Sequence, residues 1–310
     1  MDKLKKRMLL TACFLLAAFV LPAFAASVHI VIPAENPAML NLAKAAQHAL
    51  QQIEPATAIK IRTPASRDDV SDDTLLIVMG DDTLDWAQSP ANPYQQTLYF
   101  YVSSIDYFGL QSKPQQTALF RDQPLIRQLH LAALILPSAH RALIVHRPEQ
   151  FAGAAPRHQQ PLPPKLAANY RSVDAHADWI KSMALWVSQN DVLIGVDDKV
   201  LYNRDSIRSI LLTTYRQGKV LIGPNRGFVN AGSLASVYTS PEHYLQQLQT
   251  MVKFWLDNRS LPAAQFPGEF QLIVNRQVAD SLGLALPDDP TLLQQLRQRL
   301  LKAEACADGC

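Results

Sequence analysis

The stretch Val192–Gly223, VLIGVDDKVLYNRDSIRSILLTTYRQGKVLIG, carries a whole strand–helix–strand unit in one reading. Val192–Val196 is a short apolar, β-branched run, which reads as a buried strand. Asp205 opens a helix whose Ile207, Ile210 and Leu211 recur on one face. Gly218 falls in the place that ends helices, and Val220–Gly223 is a second apolar run. Two buried strands joined by a helical crossover predict a parallel pair, and parallel sheets carry helices on both faces.

The same alternation extends in both directions. Toward the C-terminus come a strand at Leu234–Tyr238 and a long helix started by Ser240-Pro241, with Leu245, Leu248, Val252 and Trp255 on one face. Helices at 275–282 and 290–300 follow. Toward the N-terminus lie a helix at 174–188, with Trp179, Ile180, Met183, Trp186 and Val187 as its core face, strands at 170–173 and 142–145, and a helix after Pro124. An earlier series holds strands at 28–32, 58–62, 75–79 and 97–102, with a helix started by Asn36-Pro37 after the first. Two such series predict an α/β protein of two doubly wound parallel-sheet lobes. Between 155 and 165 stand Pro156, Pro161, Pro163 and Pro164, which no regular helix tolerates, so a loop or insertion is expected there.

With 310 residues the chain has room for two lobes, and 48% hydrophobic against 18% charged residues argues for packed cores and against disorder. The formal net charge of +2 comes mostly from Lys3, Lys5, Lys6 and Arg7, and the near-neutral remainder argues against a nucleic-acid partner. Residues 1–25 read as a cleavable signal peptide: a basic start, an apolar run at 8–21, then Ala23-Phe24-Ala25. A membrane anchor and a lipoprotein site at Cys13 are the alternative readings. Export predicts a periplasmic protein in which Cys306 and Cys310 pair as a local clip on the tail.

In open parallel sheets ligands bind beyond the carboxyl ends of strands. That rule selects Glu35 and Asn36, Asp81 and Asp82, Ser103 and Ser104, Asp197 and Asp198, and Asn225 and Arg226. Each aspartate pair equally suits helix or turn capping, and Arg226 equally suits pairing with a neighbour. Of Tyr99-Phe100-Tyr101 at least one ring is expected in the core. No GxSxG, P-loop, GxGxxG, HExxH or HxH occurs, so no enzyme class, cofactor or metal is predicted.

Three segments carry a family resemblance: LFRDQPLIRQLHLAALILP at 119–137, DDKVLYNRDSIRSILLTTYRQGKVLIGPNRGFVNAGSLASVYTSPE at 197–242, and FQLIVNRQVADSLGL at 270–284. They resemble periplasmic substrate-binding proteins of ABC importers, in a group similar to binders of aromatic amino acids. The resemblance implies a type I periplasmic-binding-protein fold with a hinge of three crossing strands. It implies lobe I at 27–118 plus 239–284, lobe II at 119–238, and a C-terminal helix and tail at 285–310. It further implies a small-molecule ligand held by Ser103 and Ser104 from one lobe and by Asp197, Asp198, Asn225 and Arg226 from the other. Glu35, Asn36, Asp81 and Asp82 are secondary candidates. The implied partner is an ABC importer permease in the inner membrane, served by a monomer. The alternative is a sensor or an accessory partner of an outer-membrane receptor, with no transport role. A trimmed first lobe and a proline-rich stretch in place of the group's long helix are departures from the pattern.

Overall fold

The structure is a computed structural model that describes residues 26–34, 36–66, 70–111, 113–148, 161–174 and 176–309, without side chains at 176 and from 306 onward. The predicted signal peptide, Glu35 and the Cys306–Cys310 pairing therefore lie outside what it describes.

Strands β1 (Ser27–Val31), β2 (Ala58–Arg62), β3 (Thr74–Met79), β4 (Gln96–Val102) and β5 (Gln116–Phe120) form one all-parallel sheet in the order β2-β1-β3-β4-β5. Strands β6 (Arg141–His146), β7 (Ala167–Ser172), β8 (Val192–Ile194), β9 (Val220–Ile222), β10 (Ala235–Tyr238) and β11 (Gln271–Val274) form a second, in the order β11-β10-β9-β8-β6-β7. Only β11 is antiparallel, against β10. The expected fold class of two doubly wound lobes is what the chain adopts.

Both faces of each sheet are covered. In the first lobe, alternate residues of β1, β3 and β4 (Val28, Ile30, Leu75, Ile77, Leu98, Phe100) pack under the helices Pro37–Ile53 and Pro241–Asn258. Their neighbours (Val31, Leu76, Val78, Tyr99) pack on the other face with Phe120 and Phe266. Such strands, buried on both sides, read as continuous apolar runs. The Pro37–Ile53 helix begins where Asn36 Oδ1 accepts the Met39 N–H at 3.1 Å. The Pro241–Asn258 helix is capped by Ser240 and buries Tyr244, Leu248, Met251, Val252 and Trp255. Each such side chain contributes about 1.5–3 kcal/mol on burial.

Several expectations need correction. The 239–284 segment is not all first lobe: its helix packs there, but β11 closes the second sheet. The tail is not separate either, because Leu292, Leu296 and Leu300 of the Asp289–Gly309 helix lie in the second core. Strand β5 goes unrecognised in the sequence because QTALF is short and buried on both sides, with no alternation to mark it. Asn203, not Asp205, caps the Arg204–Arg216 helix, in a capping box with Ser206. Ile180 lies on the solvent side of its helix, 37% exposed, whereas Trp179 is buried. Tyr99 and Phe100 are both core, and the strand alternation breaks at a bulge at Tyr101, φ +59°.

The chain crosses between lobes three times: after β5, after β10, and between residue 258 and β11. The crossings are tied together. Gln123 Nε2 donates to Thr239 Oγ1 at 2.9 Å, Thr239 Oγ1 donates to the Glu269 carbonyl at 2.7 Å, and Arg127 Nη1 donates to Gln123 Oε1 at 2.8 Å and the Pro267 carbonyl at 2.7 Å. Because β5 and β10 each run into a crossing, the carboxyl ends of all parallel strands in both sheets point toward the other lobe.

Among the described residues no helix is long and apolar enough to cross a membrane. Close packing at the strand ends is tightest at Gly223, where an added Cβ would stand 2.6 Å from both Phe228 Cβ and Ser233 Oγ. Gly223→Ala is therefore expected to lower unfolding free energy by about 1–3 kcal/mol, the usual cost of overpacking, measured by urea denaturation. An unchanged midpoint would mean that this corner yields freely.

Candidate functional site

The strand-end residues meet at the hinge side of the groove between the lobes, around Arg121, the residue that follows β5. Its Nε donates to Asp197 Oδ2 and its Nη1 to Asp81 Oδ2, both at 2.8 Å. Asp81 belongs to the first lobe, after β3, and Asp197 to the second, after β8. One guanidinium thus bridges both walls. It is itself held from behind: its N–H donates to the Val102 carbonyl at 2.8 Å, and its own carbonyl accepts from the Tyr244 hydroxyl. Burial works against the guanidinium charge, but Asp197 and Asp81 more than offset it and hold Arg121 charged.

Ser103 completes this cluster. Its N–H donates to Asp81 Oδ1 at 2.9 Å, and its hydroxyl points at the Asp197 carbonyl across the groove at 3.4 Å. Gly80, φ +78°, lets the chain turn sharply from β3 into the Asp81–Thr83 turn that presents Asp81. Tyr101, turned out of its strand by the bulge, packs edge-on against Tyr244 with ring centroids 5.2 Å apart. Burial raises its hydroxyl pKa, with Arg121 acting in the opposite direction.

Ser104 turns the other way. Its N–H donates to Asp122 Oδ1 at 2.7 Å and its hydroxyl to Asp122 Oδ2. Asp122 sits at the start of the first crossing. Burial, reinforced by the Asp197 charge, pushes its carboxyl up to about 7. Asp106 on the Ser104–Phe108 helix is also raised, by burial and then by Asp81, while Lys199, Arg121 and Arg147 pull it down.

The remaining candidates are placed as follows. Asp198 is buried and accepts the Val200 and Leu201 N–H groups at 2.7 and 3.1 Å, capping a turn, while its other oxygen takes Arg147 Nε at 2.7 Å. Asn225 caps the Arg226–Ala231 helix through Gly227 N–H. Arg226 lies over the Tyr238 ring at 5.8 Å. Asn36 is a helix cap and Asp82 an exposed residue of the Asp81–Thr83 turn. The structure thus unites Asp81, Ser103 and Asp197 around Arg121. Ser104 and Asp198 bind other groups beside that cluster, and Asn36, Asn225 and Arg226 stay apart from it.

Arg121, Asp122 and Arg147 were missed in the sequence although the strand-end rule covers them. Arg121 and Asp122 directly follow β5, which was not seen as a strand, and Arg147 directly follows β6. Among the described residues no group of three or more His, Cys, Asp or Glu side chains is placed to hold a metal.

Comparison with solved structures places the two-lobed fold in a known architecture. The chain is similar to the ligand-free, open form of a substrate binding protein with adhesive properties from Clostridium difficile, at a TM-score of 0.62 and 15% identity over 86% of this chain and 97% of the other. It is similar to an ABC domain in complex with L-Trp from Streptococcus pneumonia, at 0.59 and 13% over 87% and 98%. A conserved domain protein from Vibrio cholerae gives 0.57 and 16% over 87% and 98%. No protein-family model and no curated protein matches the sequence.

Asp122 gives the site a pH signature. A carboxyl whose folded pKa lies near 7, against about 3.9 when unfolded, favours the fold fully below pH 4 and loses that contribution as pH rises through 7. Asp122→Asn keeps the neutral shape. Its stability relative to the parent is expected to improve from about pH 4 to about pH 7 and to level off above that in urea titrations. A difference that does not change with pH contradicts the assignment. At these sequence identities the likeness is one of architecture, and the chain has the type I periplasmic-binding-protein fold.

Proposed function

We propose that the protein is a periplasmic solute-binding protein: it captures a small polar ligand between its lobes and presents it to the permease of an ABC importer. The observation that carries this reading is the concentration of charged and hydroxyl side chains where the strand ends of two apolar lobes face each other across a three-segment hinge. Ligands bind at such edges. Rotation about the hinge opens and closes the groove, and a ligand shifts that equilibrium by its preference for the closed form. The ligand contacts in this reading are Ser103 on one wall and Asp197 on the other, with Asp81 and Arg121 at the floor; Ser104 and Asp198, already engaged by Asp122 and Arg147, back those walls, and Asn225 and Arg226 stand further out on the second lobe. The ligand leaves chemically unchanged. The basic and apolar N-terminal 25 residues support export, and the resemblance of three segments to importer binding proteins supports the partner and a monomeric state.

One observation favours a second reading, an accessory or sensor role without transport. Arg121, Asp81, Asp197 and Ser103 already join the two walls with the protein's own groups, so a ligand must displace contacts as well as make them.

A thermal-shift screen of amino acids, organic acids and sugars separates the two. A ligand at a hundred times its Kd stabilises the folded form by about 2.7 kcal/mol. A hit is expected whose shift disappears in Ser103→Ala and Asp197→Asn, both of which leave a cooperative unliganded transition. No hit from any class contradicts solute capture and leaves the accessory role.

A further inference from the structure

On the far side of the second lobe, away from the groove, the Leu125–Ile135 helix, the proline-rich turn at 161–165 and the Asp289–Gly309 helix enclose a cavity of about 510 Å³. That lies within the range of small-molecule sites, about 300–1,000 Å³. Its lining is of two kinds. Ala139, Leu162 and the prolines of the turn are apolar, and Leu162 is 46% exposed at the lip. His130, Lys165, Arg299 and Lys302 supply the polar part, and no acidic side chain lines the cavity among the described residues.

The arrangement is built, not a chance cluster on a smooth face. His130 is buried, and its Nε2–H donates to the Pro161 carbonyl at 3.1 Å, which fastens the turn across the helix. Lys165 has φ +73°, an uncommon conformation for a residue with a side chain, and its carbonyl is 3.3 Å from His140 Nδ1. Burial, then the Arg299 charge, lower the His130 pKa. Lys165, Arg299 and Lys302 form no salt bridge among the described residues. Like charges gathered on one cavity repel, and an anion relieves that repulsion. Residues 161–165, the described end of the proline-rich stretch, thus form a wall of a site that the groove between the lobes does not use.

We propose that this cavity binds an anionic amphiphile, an acyl chain ending in a carboxylate. The chain lies against Leu162, Ala139 and the prolines, and the head is held by Lys165, Arg299 and Lys302.

Equilibrium dialysis of the full chain with labelled dodecanoate, kept below its aggregation concentration, tests this. Dodecanoate is expected to bind, with affinity falling at least tenfold in R299Q/K302Q and again in 0.5 M salt, where exposed charges are screened. R208Q/R216Q removes two exposed charges from the Arg204–Arg216 helix and is expected to leave binding unchanged. All four positions are on the surface, so both double variants fold. The proposal is overturned if dodecanoate does not bind. It is equally overturned if dodecanol or acetate binds as well as dodecanoate, or if R299Q/K302Q binds like the parent.

Discussion

The two bonds of Arg121 to Asp81 and Asp197 are the interaction on which the relation of the lobes depends. Each lobe has its own core on both faces of its sheet, so neither needs the other to fold its elements. What the lobes share among the described residues is centred on the hinge, this cation and the Ser103 hydroxyl that meets the Asp197 carbonyl. Ion pairs of this kind are costly to desolvate and strongly destabilising to break on one side only, because a carboxylate is left without its partner. The Arg121 side chain is 23% exposed and those of Asp81 and Asp197 are 9% and 17%, so water reaches the cluster only in part. An arrangement with that asymmetry is suited to switching between two states.

The hinge behind it is ordered. Gln123, Thr239 and Arg127 tie the three crossings to one another, and Gln265 pairs with β5 through its backbone, its N–H to the Ala118 carbonyl at 2.9 Å and its carbonyl to the Phe120 N–H at 3.0 Å. The Arg121 cluster stands at the edge of that tied region and bridges the two lobes there. Asp122, one residue further, adds a charge that appears near neutral pH beside Asp197.

Much of this was legible in the sequence. The unit at 192–223 predicted a parallel pair, and β8, the Arg204–Arg216 helix and β9 are that pair, with Gly218 at φ +64° ending the helix. Asn36-Pro37 and Ser240-Pro241 marked two helix starts because capping is local chemistry. What depends on distant neighbours was not legible. β5 is defined by its pairing with β4 and not by its own five residues, and with β5 unseen the residues after it, Arg121 and Asp122, stayed out of the site. The strand-end rule found Asp81, Ser103 and Asp197, yet nothing in the sequence says that one guanidinium satisfies two of them. Likewise β11 runs against its neighbour, and only the sheet shows which lobe it completes.

If Arg121 holds the two walls together, its removal frees the angle between the lobes. This is tested most directly by pulsed electron-spin distance measurement between labels at Asp85 and Arg208, one exposed position on each lobe, in a chain whose cysteines are replaced by serine. One narrow distance distribution is expected with Arg121 present and a broader, longer one in Arg121→Gln. Identical distributions in the two proteins would contradict it.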